Sequence, residues 1–300
     1  MPPQFRLSRA DKQNISQVLI GLARVATRIV DECQLSKPPA DSSADAWFSS
    51  IDPPGMFPHV MQGFLHVEFA MLSGVDHLRA LNTLARADLL LTTSTATVMR
   101  GALEAFAKSW YFTTSAGVDE FVLRYLSSRY SEYRYPRMFK ESLRTYDGRV
   151  VDPEIEAAET LAEIERLGLG RPERVDISGR VAALVNAAHG KNHGRKDYSG
   201  LSSVAHAEHV GLGNFLTFDP LSGRATLAHR RSLLLDMLAS LCLSVLECLN
   251  ALVRVFGSQP VPVALLDQSS ERSLAALLRL FSVDNGASDD HMSPTAARGS

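Results

Sequence analysis

Apolar residues in this chain recur mainly at intervals of three and four, the spacing of one helix face, rather than in the strict alternation of a half-buried strand. In "ADKQNISQVLIGLARVATRIVDECQL" the positions Val18, Leu19, Leu22, Val25, Ala26 and Ile29 make such a face, and Ser8 stands where a helix cap belongs. "SKPPADSSADAWFSSIDPPGMF" interrupts the pattern and, being rich in Pro and Ser, predicts a loop. A second helix is expected from about Pro58 to Ala87, and a third from the Thr/Ser cluster at 92–95 through "TVMRGALEAFAKSWYF". A fourth, "VDEFVLRYLSSRYSEYRYPRMFKESL", should bend or break at Pro136, which lacks a backbone donor.

Asp152 and Pro153 open the next helix and Gly168 closes it, while Asp176 caps "DISGRVAALVNAAHG" and Gly190 stops it. Asp197 is placed to cap a helix through "YSGLSSVAHAEH". The one hairpin candidate is "NFLTFDPLSGRATLAH", turning near Asp219 to Gly223. A long apolar helix should begin around Thr226, and a last amphipathic one lies within "SSERSLAALLRLFS". The pattern predicts an all-α fold, a single multi-helix bundle over 1–284 with one short hairpin, followed by a disordered polar tail at 285–300.

Composition narrows the function classes. A net charge of -2 and a pI near 6.5 argue against a generic electrostatic grip on DNA or RNA. The three cysteines, Cys33, Cys242 and Cys248, have no metal-ligand spacing and fit a reducing, cytoplasmic setting. The polar N-terminus has no apolar segment of a secretory signal. "SLLLDMLASLCLSVLECLNALVRVF" is long enough to span a bilayer, but Asp236, Glu247 and Arg254 interrupt it, so a buried bundle helix is expected and no membrane partner.

The chemistry concentrates between Tyr198 and His209. At about 100° per residue, Tyr198, Ser202, His206 and His209 would share an arc of about 80° on one helix. Hydroxyls and imidazoles donate, accept and, for histidine, exchange protons near neutral pH. The competing reading is a solvated helix face. Upstream, Arg100 and Glu104 stand one turn apart on "VMRGALEAF"; they are either an exposed ion pair or a pair facing the histidine stripe. In the second case Arg100 would anchor an anionic group and Glu104 would orient or deprotonate a histidine.

These two motifs, Tyr198-x-x-Leu201-Ser202-x-x-x-His206 and Arg100-x-x-x-Glu104, resemble the signature of a family of uncharacterised bacterial all-helical proteins, with the same order of helices over roughly residues 60–256. That family has been compared with HEPN-type helical bundles, some of which cut RNA through an Arg-x(4–6)-His motif. Arg224-x4-His229 matches that spacing, but it falls in the expected hairpin, so nuclease activity is not carried over.

Further histidines invite a metal reading. His59, His66 and His77 fall within about 20° of one another, on the side shared by Gly63, Ala70 and Gly74, which reads foremost as a groove for close helix packing. His189 and His193 could ligate a metal only if the helix ran past Gly190, and no pair of Glu-x-x-His motifs supports a di-iron centre. No metal and no cofactor are expected. "HGKNHGRKDY" is either a mobile, anion-binding loop or a plain connector.

The expected function is a pocket for a small polar or anionic ligand, with His206, Glu104 and Tyr198 as acid–base candidates and Arg100, Ser202 and His209 as ligand contacts. A HEPN-like nucleic-acid or defence protein and a non-catalytic interaction protein are the alternatives, and a homodimer is compatible with each.

Overall fold

A computed structural model describes residues 7–282 except 36, 52–53, 88–91, 140–141, 145–147, 175, 191, 214, 219–221, 224, 228–230 and 258–259. The fold is an all-α bundle. Its helices are α1 (Arg9–Cys33), α2 (Ser43–Ser49), α3 (Phe57–Arg86), α4 (Thr92–Thr113), α5 (Val118–Glu132), α6 (Arg134–Phe139), α7 (Pro153–Arg166), α8 (Ile177–His189), α9 (Gly194–Ala205), α10 (His209–Gly213), α11 (Arg231–Phe256) and α12 (Pro260–Ser282). Strands β1 (Leu143–Arg144) and β2 (Val150–Val151) form one small antiparallel pair, and β3 (Leu216–Phe218) and β4 (Ala225–Leu227) form the expected hairpin. The tail expected to be disordered, 285–300, lies outside the described residues.

Local chemistry sets most helix ends. Ser8 and Asp11 make a reciprocal capping box at α1, Asp152 accepts from the Glu154 N–H, and Asp176 accepts from the Ser178 N–H. Gly190 ends α8 at φ 62°, a left-handed conformation glycine adopts at no steric cost. The fourth predicted helix is split at Tyr133 rather than Pro136, because proline suits the first turn of the new helix α6 and the break falls just upstream.

Three further expectations are corrected. The Pro/Ser-rich loop contains α2, capped by Ser42, because Trp47 and Phe48 gain burial against Phe64 and Phe121. The long apolar helix starts at Arg231, since Thr226 is paired in the hairpin. The last helix begins at Pro260, ahead of the segment that carried the pattern.

The core lies where α3, α4 and α11 meet, with α1 closing one side and α8 and α9 the other. Phe64, Phe106, Phe112, Phe121 and Phe256 are all fully buried there. α11 is long and apolar enough to cross a membrane by length and composition, and more than half of that stretch is buried in the bundle. The small-residue side of α3 is a packing groove. A Cβ on Gly63 would come within 2.4 Å of the Phe121 ring, and one on Gly74 within 2.7 Å of Phe106. His77 covers Gly101, His66 stands edge-on to Tyr125, and His59 bonds Glu163 at 2.6 Å, so the three histidines have separate structural partners.

A buried ion pair links distant parts of the chain. Arg231 at the start of α11 donates to both carboxylate oxygens of Asp11 at 3.2 and 2.8 Å, and to the Leu280 carbonyl at 2.6 Å. Both side chains are under a tenth exposed. Burial alone would raise the Asp11 pKa, yet the bonds from Arg231 and Ser8 outweigh it and hold the carboxyl below its ordinary value.

Candidate functional site

α4 and α9 pack side by side. Tyr198 projects from the first turns of α9 and is almost fully buried, its ring against α4. Its hydroxyl donates to Glu104 Oε1 at 2.6 Å. The same oxygen accepts from Arg100 Nε at 2.7 Å, as the four-residue spacing on α4 permits. Arg100 lies 5.5 Å from the centroid of the Tyr198 ring, and its Nη1 reaches His206 Nε2 at 2.6 Å. The result is one chain, Tyr198 to Glu104 to Arg100 to His206, running from the packed helix interface to solvent.

The protonation of this chain follows from donor inventory. A guanidinium has no acceptor, so it must donate to His206, and Nε2 must offer its lone pair. Burial, then the bond to Glu104, pushes the Tyr198 hydroxyl up to about 12, so it remains a donor at neutral pH. Partial burial disfavours the Arg100 charge, but its bond and attraction to Glu104 more than offset this and raise its pKa.

Four of the six residues predicted for the site are thus brought together. The histidine is held by Arg100 rather than by Glu104, whose Oε1 is taken by Tyr198 and Arg100. Ser202 is half-buried one turn from both Tyr198 and His206, and among the described residues no bond joins its hydroxyl to the cluster. His209 is not part of the stripe. α9 ends at Ala205, and the Ala207 and Glu208 N–H groups turn back to the Val204 and Ser203 carbonyls at 3.1 and 2.8 Å. This reversal puts Ala207 at φ 55° and makes His209 the exposed first residue of a separate short helix. His206 is the residue at the turn, exposed beyond the last full turn of α9.

The start of α9 also differs from expectation. The helix begins at Gly194, where a Cβ would lie 2.3 Å from the Ala182 carbonyl oxygen, so only glycine allows α8 and α9 to come this close. Asn186 accepts from the Gly194 N–H at 2.8 Å. The basic segment is therefore a short turn followed by helix, and Asp197 accepts from Ser240 of α11 at 3.2 Å instead of capping. Arg224 and His229, the HEPN-like spacing, lie outside the described residues.

A second polar cluster escaped the sequence reading. The guanidinium carbons of Arg124 and Arg180 lie 4.4 and 4.1 Å from the centroid of the Tyr111 ring, and its hydroxyl donates to Glu173. Burial, then the bond to Glu173, raises the Tyr111 hydroxyl to about 12. The available signal was Tyr111 itself, seven residues after Glu104 and hence on the same face of α4. Its partners sit on other elements and left no local trace. Among the described residues no group of three or more histidine, cysteine or acidic side chains is arranged to hold a metal. The three cysteines are buried and free, and burial pushes Cys33 and Cys248 up to about 12.

Comparison with family models, with curated proteins and with solved structures finds no match.

Proposed function

We propose that the α4–α9 surface binds a small polar anion and that His206 exchanges a proton with it. The reading is supported above all by the 2.6 Å contact of Arg100 Nη1 with His206 Nε2 at an exposed edge. Arg100 is fixed from behind by Glu104, so its outward N–H groups are presented in a set direction. A carboxylate or phosphate oxygen is a stronger acceptor for a guanidinium than a neutral imidazole. Such a ligand would displace His206 from Arg100 and free Nε2 to take a proton from a hydroxyl or amine on the same ligand. Tyr198, held as a neutral hydroxyl, positions Glu104 and does not itself transfer a proton. No cofactor is required by this chemistry.

The test is a titration of imidazole-labelled protein with inorganic phosphate and with acetate, followed by NMR. A saturable change in the His206 ring signals that disappears in Arg100→Gln is the expected result. Ring signals that ignore both anions, or that respond equally without Arg100, would overturn the proposal. His206→Gln keeps ring-sized polarity without a titrating nitrogen and should retain anion binding while losing any turnover.

A further inference from the structure

A second feature lies on the far side of the bundle. α1 and α12 pack together and leave a groove of about 490 Å³ between them. Arg24 and Arg28 of α1 face it from one wall, and Arg272 and Arg279 of α12 from the other. Among the described residues no Asp or Glu lines the groove, in a chain whose acidic residues outnumber its basic ones by 33 to 31. Arg28 has a distant partner in Glu32 at 3.9 Å; among the described residues Arg24, Arg272 and Arg279 make no ion pair or side-chain hydrogen bond. Four guanidiniums in one depression repel one another, and an anion would relieve that repulsion.

The dimensions select the kind of anion. Arg24 and Arg28 are one turn apart and Arg272 and Arg279 two turns apart, so the charges are spread over about 10 Å of helix length. That span matches two or three linked phosphates. It is too short for the tracking surface of a nucleic-acid strand, which needs basic residues along many nucleotides. The groove volume falls within the range of small-molecule sites, roughly 300–1,000 Å³. Its base is apolar where Val18, Val25 and Leu265 meet, and Gln17 and Gln268 supply amides that both donate and accept. At Gly21 nothing lies within 4 Å of a Cβ position, so the opening is not obstructed.

We infer that the α1–α12 groove binds a small polyphosphate ester of nucleotide size: the arginines take the phosphates, and the apolar base and amides take the organic part. The site is separate from the α4–α9 cluster and does not depend on that reading.

Calorimetry with ATP and with inorganic tripolyphosphate tests it, at low and at physiological salt, using the whole chain. ATP is expected to bind with micromolar affinity, more tightly than tripolyphosphate, and to weaken as salt rises. Arg24→Gln combined with Arg272→Gln should weaken ATP at least tenfold with an unchanged melting temperature, since both side chains are exposed. Absence of binding by either probe, or ATP binding unaffected by the double change, would overturn the inference. So would ATP binding that is lost in Arg100→Ala and retained in the double variant, which would place the anion at α4–α9. Tighter binding of a twenty-nucleotide single strand or of vesicles containing anionic lipid, per phosphate, would identify a macromolecular surface and equally reject the small ligand.

Discussion

Two arginine–carboxylate pairs in this protein use the same chemistry in different surroundings. Asp11–Arg231 is almost fully enclosed, meets in two parallel bonds and has a backbone carbonyl as a third partner. Arg100–Glu104 has a single bond, and about a quarter of each side chain faces solvent. Nε and Nη2 of Arg231 are both spent on the fold. The second pair keeps part of its guanidinium at an exposed edge, where it meets an imidazole nitrogen rather than a buried carboxylate. An ion pair's value for stability and its value for binding therefore vary in opposite directions with exposure.

The largest effect that would sharpen this contrast is at Asp11. Asp11→Ala leaves Arg231 buried without its counter-charge, and a loss of about 3–5 kcal/mol is expected in denaturant unfolding. The double change Asp11→Leu with Arg231→Met should cost much less, because neither charge is then stranded. A loss below 1 kcal/mol for Asp11→Ala would abolish the distinction between the two pairs. Next comes Tyr198→Phe, which removes the donor to Glu104 from a buried hydroxyl position and should cost about 1 kcal/mol by the same measurement. His206→Ala should fall within about 0.5 kcal/mol of the parent, since the ring is exposed. Substantial unfolding in His206→Ala would make the outer end of the cluster structural and erase the contrast.

The smallest expected effect is a pH dependence at Glu163. Its bonds to Arg166 first, then to His59, lower its pKa from 4.5 to about 2 against the opposing effect of burial. A carboxylate depressed on folding contributes fully above its unfolded value and progressively less as pH falls through the folded one. The melting temperature should accordingly fall between pH 4.5 and about 2, and Glu163→Gln should flatten that part of the profile. An identical acid profile in the variant would remove Glu163 from the account.

Helix number and position were legible where the chain writes its own ends: Ser8, Asp152, Asp176 and Gly190 all act at the positions their local chemistry implies. The pairing of Arg100 with Glu104 was legible for the same reason, being one turn of one helix. What depends on two helices meeting was not. Nothing near Asp197 signals that α8 will approach Gly194 and draw the helix start upstream. The end of α9 was hidden because the left-handed position is occupied by Ala207, an alanine, at a cost of about 1 kcal/mol, where a glycine would have announced the turn. The stripe expected to run to His209 consequently stops at His206. Which residue holds that histidine depends on the lateral offset of α9 against α4, a quantity with no counterpart in sequence spacing.

The Asp11–Arg231 contact spans 220 residues of chain. Closing so long a segment carries a large entropic penalty that is recovered only when the intervening helices are already compact. The latch is therefore expected to close in the last steps of assembly and to contribute little to the folding transition state. Asp11→Ala should leave the refolding rate nearly unchanged and place almost its whole effect on unfolding, so the pair governs how long the native molecule persists rather than how quickly it forms.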